Sequence, residues 1–325
     1  IDGMASVVFM VEILNKKYPE IKPEIHFCKY VIGGLDKIGE ELKNGKVKKI
    51  FILDLNADMD MIEELKEIQN NFDVLFIDHH PLNPKLHIDD KVIKTEGKDC
   101  TSLVLFRFGE DIIDYKKWSW LACVASISEF AHIKEENLKF VQIYYPDFNP
   151  DKKDSDVFKI VLKLASLVNY YSKDSMKAYE AVLNKDFNKI DKINEEVSSE
   201  MERLVKDFEE NSEKHFNNHL YFYFFKSRFS LGSNLSTTLS IKHKGATIIV
   251  FSETEDPNVI KGSARNNGIP LKYPMNDMLK AGIKGLEKTM AGGHAPASGA
   301  SFMKKDLDTF KKQVIEFVKS KISNS

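Results

Sequence analysis

Short apolar runs and longer amphipathic stretches alternate along the first part of the chain. Residues 48–53, Lys-Lys-Ile-Phe-Ile-Leu, and 73–77, Asp-Val-Leu-Phe-Ile, have the length and composition of buried strands. Residues 24–31 predict another strand. Between the two apolar runs, residues 59–70 carry helical spacing, with Asp58 placed as an N-cap. Val8, Val11 and Leu14 share one side of a helix predicted over residues 2–18, and further helices are predicted over 101–108 and 117–130. Pro146, Pro150 and several charges mark 145–156 as a surface loop. This alternation predicts an α/β domain: a mostly parallel sheet with helices on both faces.

The pattern changes at residue 187. Ile190, Ile193, Val197, Met201 and Leu204 keep helical spacing among Asn188, Lys189, Asp191, Lys192, Glu195, Glu196 and Glu200. One long polar helix joining two domains fits this segment, and so does a peripheral helix packed on the first domain. Beyond it, strands are predicted over 220–225, 247–251 and 258–265, and helices over 235–243, 275–286 and 307–321. The organisation expected is a first domain over 1–186, a linker helix over 187–216 and a smaller α/β domain over 217–325.

At 325 residues, 42% hydrophobic and 30% charged, the chain can bury two cores. No apolar stretch approaches the roughly 20 residues that span a bilayer, and no secretory signal is visible at the start. Cys28, Cys100 and Cys123 lie far apart without metal-knuckle spacing, which suits buried thiols in a reducing cytoplasm. Charge is uneven. The net value is -2, yet residues 218–325 hold 16 Lys or Arg against 8 Asp or Glu. An acidic half and a basic half suit a phosphodiester substrate, and solvation of the surface also accounts for most of the lysines.

The first apolar run ends at Asp54 and the second at Asp78-His79-His80-Pro81. Side chains at the carboxyl ends of neighbouring parallel strands point into one crevice. Carboxylate and imidazole ligands there suit a Mn²⁺-type ion, although a turn-capping Asp followed by two surface histidines fits the same tripeptide. In the second half, Lys261-Gly262-Ser263-Ala264-Arg265 closes a strand, so Arg265 could offer its planar fork to a phosphate or take part in a surface ion pair. In Ala291-Gly292-Gly293-His294-Ala295, paired glycines let backbone N–H groups approach an anion, or form a hairpin turn.

Asp2-Gly3-Met4-Ala5-Ser6, Asp54, Asp78-His79-His80-Pro81 and Gly292-Gly293-His294, in that order, resemble the DHH phosphoesterases that carry a DHHA1 domain. That group includes RecJ-like single-strand exonucleases, small-oligoribonucleotide nucleases and cyclic-dinucleotide phosphodiesterases. The resemblance implies a DHH domain binding two Mn²⁺ ions, with Mg²⁺ possible, and a substrate-binding DHHA1 domain. It implies that Asp54 bridges both ions, that Asp2 and His79 ligate one of them, and that His80 stands close to the scissile phosphate. The family's fourth motif, an Asp in a small-residue helix, is matched by Ala125-Ser126-Ile127-Ser128-Glu129, which gives Glu129 the ligand role despite its extra methylene. Arg265, Gly292, Gly293 and His294 match the substrate-binding positions.

The family also places a His and an Asp just before the position of Asp2, which implies that the intact protein extends upstream. The activity implied is Mn²⁺-dependent hydrolysis of single-stranded DNA or RNA from an end by a two-metal mechanism. Alternatives are a phosphoesterase for cyclic dinucleotides, very short oligonucleotides or nucleotide monophosphates, and a weakly active RecJ- or Cdc45-like subunit of a replication or repair complex. Partners implied are single-stranded nucleic acid or a short oligonucleotide, and a replication or repair protein, with no membrane.

Overall fold

The computed structural model describes residues 1–28, 33–43, 45, 47–95, 99–152 and 154–322. The chain divides into two compact units, residues 1–194 and 195–325. The first unit runs α1 (Asp2–Lys17), α2 (Gly34–Lys43), β1 (Lys49–Leu53), α3 (Ala57–Asp60), α4 (Ile62–Asn71), β2 (Asp73–Asp78) and β3 (Val92–Lys94). It continues through α5 (Thr101–Phe108), α6 (Tyr115–Ser128), α7 (Glu135–Tyr144), α8 (Asp156–Tyr170) and α9 (Ser175–Leu183), and enters α10 (Phe187–Asn211).

Three parallel strands in the order β1-β2-β3 form its sheet, with Leu53 opposite Ile77 and Asp78 opposite Lys94. Ile52, Val74 and Phe76 pack on Leu35, Met61, Leu65 and Ile68 from the helices. Each such fully buried side chain contributes roughly 1.5–3 kcal/mol. Phe9 of α1 and Phe106 of α5 are also fully buried, their ring centroids 5.1 Å apart. Side-chain carboxylates cap helices here. Asp114 accepts the Lys117 N–H at 3.1 Å, opening α6, and the Glu64 carboxylate of α4 accepts the N–H groups of Gly33 at 2.7 Å and Leu35 at 3.0 Å, opening α2.

Several predicted elements differ. The linker helix expected over 187–216 ends at Asn211, and Glu213–His215 form a strand of the second unit. The helix expected over 59–70 is broken into α3 and α4, and Asp58 lies inside α3 rather than capping it. Its carboxylate is drawn elsewhere, to Lys94 Nζ at 3.0 Å and the Asn83 N–H at 2.8 Å, so it cannot also cap. Of the strand expected over 24–31, residues 24–28 are not in a strand, and 29–31 lie outside the described residues.

The unit boundary falls within α10. Ile190 and Ile193 of its first part are buried, as are Val197, Leu204 and Phe208 of its second. Phe208 belongs to the second unit, with Tyr221 and Tyr223 at 5.3 and 5.4 Å between ring centroids.

The second unit continues through β4 (Glu213–His215), β5 (Leu220–Phe224), α11 (Gly232–Lys242), β6 (Thr247–Glu253) and β7 (Val259–Arg265). It ends with α12 (Met275–Gly282), β8 (Met290–His294), β9 (Ala297–Met303) and α13 (Leu307–Ile322). Six strands form the sheet, in the order β4-β5-β6-β7-β9-β8; β5 and β6 are parallel and the other neighbours antiparallel. Phe222, Ile249, Phe251, Ile260, Ala264 and Phe302 face one side and pack on Met278 and Leu279 of α12 and Phe310 and Val314 of α13. Phe302 and Phe310 stack at 4.3 Å. Strand alternation therefore sends Arg265 and Ser263 to the other face. There α11 begins, and a Cβ on Gly232 would stand 3.3 Å from Ser263 Oγ.

Candidate active site

Because Leu53 pairs with Ile77, Asp54 and Asp78 leave neighbouring parallel strands side by side. Asp54 takes a left-handed backbone, φ 52, while its N–H still donates to Ile77 O at 3.0 Å. Left-handed geometry costs a non-glycine residue of the order of 1 kcal/mol, and such strain gathers at functional sites. The turn brings the Asp54 carboxylate to the two histidines. One ligand atom each from Asp54, His79 and His80 lies within 4.8 Å of the others. His79 Nε2 is 3.3 Å from Asp54 Oδ1 and 3.7 Å from Asp2 Oδ2. Asp54 also presses on α1, where a Cβ on Gly3 would come within 3.0 Å of its Oδ2, so glycine leaves the room this carboxylate occupies.

Hydrogen bonds fix the surroundings. Asp2 is buried, and its two oxygens accept the Thr101 and Ser102 N–H groups at 2.8 and 2.9 Å, at the start of α5. A carboxylate there meets the positive end of the helix dipole. Asp78 accepts from the His80 N–H at 3.1 Å and holds His80 Nδ1 at 2.8 Å. Lys94 Nζ reaches Asp78 at 2.6 Å and Asp58 at 3.0 Å, and all three charged groups are buried.

Charge follows from this packing. Burial, helped by the Asp2 charge, pushes Asp54 up to about 6. Burial alone would lower His79, but the neighbouring carboxylates of Asp54, Asp2 and Glu129 outweigh it and push the imidazole up to about 9. The bond from Asp78, against burial, raises His80 as well. Burial disfavours the Asp78 carboxylate, yet His80 and Lys94 hold it below the usual range.

These residues have the donor set of a divalent transition-metal site. One carboxylate and two imidazoles converge; His79 Nδ1 is buried without a hydrogen-bond partner among the described residues, and Asp54 Oδ1 has only the 3.3 Å contact with His79 Nε2. Asp2, expected as a ligand, lies against His79 with both oxygens already accepting amides. Glu129 caps the end of α6, half-buried, and stands outside the close group of three. Sequence reasoning missed Lys94, Asp58 and Gly3. Lys94 sits on a strand of three residues, too short to signal itself, and Gly3 was legible only as part of a motif.

In the second unit, register places Arg265 opposite Ala297 and Ala297 opposite His294. Arg265 and His294 thus share a row across the sheet, about 10 Å apart at the usual strand spacing, with only a methyl group between. Arg265 Nε is buried and lacks a hydrogen-bond acceptor among the described residues; burial lowers its pKa. Gly293, φ 133, could not carry a Cβ, which would meet Ala297 O at 2.7 Å. A Cβ on Gly292 would meet nothing within 4 Å. Ser263, Gly299 and Gly292 form the next row on the same face, so Arg265, Gly292 and His294 share a face, while Gly293 falls in the row between, with Ser298 and Ala264.

Two family models match the chain: the DHH family, N-terminal domain, over residues 1–127, and the DHHA1 domain, over residues 230–320. The chain belongs to the DHH/DHHA1 phosphoesterase family. None of the curated proteins matches the sequence. Among solved structures, the fold is similar to RecJ from Thermus thermophilus in complex with Mn²⁺, with a TM-score of 0.71 and 14% identity over 97% of this chain and 50% of that one. PggH, a pGpG-specific phosphodiesterase from Vibrio cholerae, is similar with a TM-score of 0.50 and 14% identity over 98% and 96% of the two chains. Cdc45 from Entamoeba histolytica gives 0.51 and 11% over 96% and 93%. The chain thus spans half the length of the Thermus RecJ, and at these identities the likeness is one of fold. Among the described residues no helix is long and apolar enough to cross a membrane.

Proposed function

We propose that this protein is a Mn²⁺-dependent phosphodiesterase that hydrolyses single-stranded DNA or RNA from an end. The observation that carries the reading is the convergence of Asp54, His79 and His80 at the ends of two parallel strands, on a chain of the DHH/DHHA1 family. Family membership makes phosphoester hydrolysis the reaction class. The basic excess of residues 218–325 suits a polyanionic substrate.

In this reading Asp54, Asp2, His79 and Glu129 would hold two divalent ions, Mn²⁺ or alternatively Mg²⁺. The bound ions would polarise the phosphate and generate hydroxide from water near neutral pH. Asp54 and His79 are the groups that must lose their protons before an ion is held. Asp78 engages His80 Nδ1 and raises its pKa, which favours the imidazolium, the form whose Nε2–H would donate to the leaving oxygen. Lys94 holds Asp78 in the charged form that orients His80. Arg265 offers its unpartnered guanidinium to a phosphate beyond the scissile one, the Gly292-Gly293 backbone lets that phosphate approach closely, and His294 adds a donor. We assign residues 1–186 to the catalytic DHH domain, 187–216, which hold α10 and β4, to the linking segment, and 217–325 to the DHHA1 substrate domain. A cytoplasmic location and a replication or repair partner belong to the same proposal.

Incubation of the purified protein with Mn²⁺ and 5′- or 3′-labelled strands of several lengths tests it. Stepwise shortening of single strands, abolished by chelation and absent on blunt duplex, is expected. Turnover confined to dinucleotides or cyclic dinucleotides would replace the exonuclease with a small-substrate phosphodiesterase. Binding of single strands without turnover would indicate a binding subunit.

A further inference from the structure

Phe130 follows Glu129 directly, so its Cα lies only about 3.8 Å along the chain from that of a proposed ligand. Its backbone is left-handed, φ 57 and ψ 18, a conformation uncommon for any non-glycine residue and an outlier for a bulky one. The turn is held by the main chain. The Phe130 N–H donates to Ile127 O at 3.2 Å, and its carbonyl accepts the Ile133 N–H at 3.1 Å. Glycine or asparagine would make this turn with less strain, so the backbone gives no reason for a phenyl group.

Packing gives none either. The side chain is 67% exposed. The one ring beside it among the described residues is His132, at 6.1 Å between centroids, and His132 is itself set edge-on to Phe148 at 5.6 Å. Phe130 is therefore a flat apolar face, projected to solvent from a hydrogen-bonded turn, next to Glu129, the proposed ligand that ends α6. A face of this kind accepts a planar apolar group. In a substrate whose reacting centre is a phosphodiester, the planar groups on either side of the phosphate are nucleobases. Phenylalanine has no hydrogen-bonding atom, so it takes any base by stacking.

We propose that Phe130 is the stacking platform for the nucleobase beside the scissile phosphate, selecting substrates that carry a base there without choosing which. This rests on the phosphodiesterase reading above and adds the requirement for a base.

The test compares kcat/KM of the Mn²⁺-loaded protein on single strands ending in a normal nucleotide and in an abasic tetrahydrofuran residue. Wild type is expected to prefer the base-bearing end by about tenfold or more, the scale of one base–aromatic stack. Phe130→Ala should bring that ratio close to one, and Phe130→Trp should keep it, with unchanged melting temperatures showing both variants folded. A wild-type ratio of one, or a ratio unaltered in Phe130→Ala, overturns the stacking role while leaving the phosphodiesterase standing. No Mn²⁺-dependent cleavage of either strand by wild type overturns both.

Discussion

Asp54, His79 and His80 sit among fixed donors and acceptors, whereas Arg265, Gly292 and His294 lie on a sheet face with few. In the first unit Asp2 is held by two amides of α5, and Asp78 by His80 and the buried Lys94. In the second unit, among the described residues, the Arg265 Nε has no acceptor, His294 is exposed, and the space above Gly292 is open. The difference matches the two tasks proposed for them. Chemistry needs groups held in place before the substrate arrives, because reorganisation at the moment of reaction raises the barrier. Binding of a phosphate needs donors still unsatisfied, because each internal bond would have to be exchanged for one to the ligand.

The largest effects should follow from damage to the ordered site. Asp54→Ala and His79→Ala each remove a proposed ligand, and kcat with Mn²⁺ should fall at least about a thousandfold. Full activity in either would remove the metal assignment. The same site makes metal binding pH-dependent. His79 holds its proton up to about 9 in the metal-free protein, whereas Asp54 is ionised above about 6. Between these values the ion displaces a proton, so Mn²⁺ affinity should rise by up to about tenfold per pH unit. Titration calorimetry in buffers of different ionisation enthalpy would show about one proton released near pH 7, and a pH-independent affinity would exclude His79 as a ligand.

Lys94→Met asks whether the order is structural. Removing the cation leaves two buried carboxylates facing an uncharged side chain, which should destabilise the first unit by about 3–5 kcal/mol. At a few degrees per kcal/mol for a unit of this size, its thermal transition should fall by about 10 °C. A transition within a degree of wild type would mean that the carboxylates are solvated or protonated instead.

These two sets of residues were unequally legible in the sequence. β1 and β2 announce themselves by runs such as Ile50-Phe51-Ile52-Leu53, and the polar residues that stop those runs are the candidate site residues. Asp54 and His79 could be picked out because a polar residue at the end of a buried strand has few structural reasons to be there. The supporting layer could not. Lys94 is buried only because Asp58 and Asp78, 36 and 16 residues away, meet it, and no local pattern encodes such a pairing. The same long-range demand turned Asp58 from a helix cap into an ion-pair partner. In the second unit β8 and β9 carry Gly, Ala and Ser in place of β-branched residues, and their strand character comes from pairing, β9 with β7 and β8 with β9. Family resemblance pointed to Gly292 and Gly293 as a pair, but it could not say that they do different things.

Arg265→Ala should give an intermediate effect of the kind expected from an open binding face. KM should rise about tenfold with kcat much less changed, since the guanidinium contacts substrate alike in the ground and transition states. A fall in kcat at constant KM would place Arg265 with the chemical groups and erase the contrast between the units.

The finest distinction lies between adjacent glycines. Gly293 is a folding requirement, since its φ of 133 and the 2.7 Å approach of Ala297 O and Ser298 Cα to any Cβ leave no room for a side chain. Gly293→Ala should therefore lower the melting temperature of the second unit, at a cost of about 1–3 kcal/mol. Gly292 has neither constraint: its backbone lies in the ordinary region and an added methyl group would touch nothing. Gly292→Ala should leave stability within about 0.5 kcal/mol, as for a surface substitution. If the open space above Gly292 is where a phosphate approaches the strand, the methyl group will occupy it, and KM should rise severalfold in a fully folded protein. Unchanged KM together with unchanged stability would mean that the substrate does not approach this strand, leaving Arg265 and His294 to be judged without it.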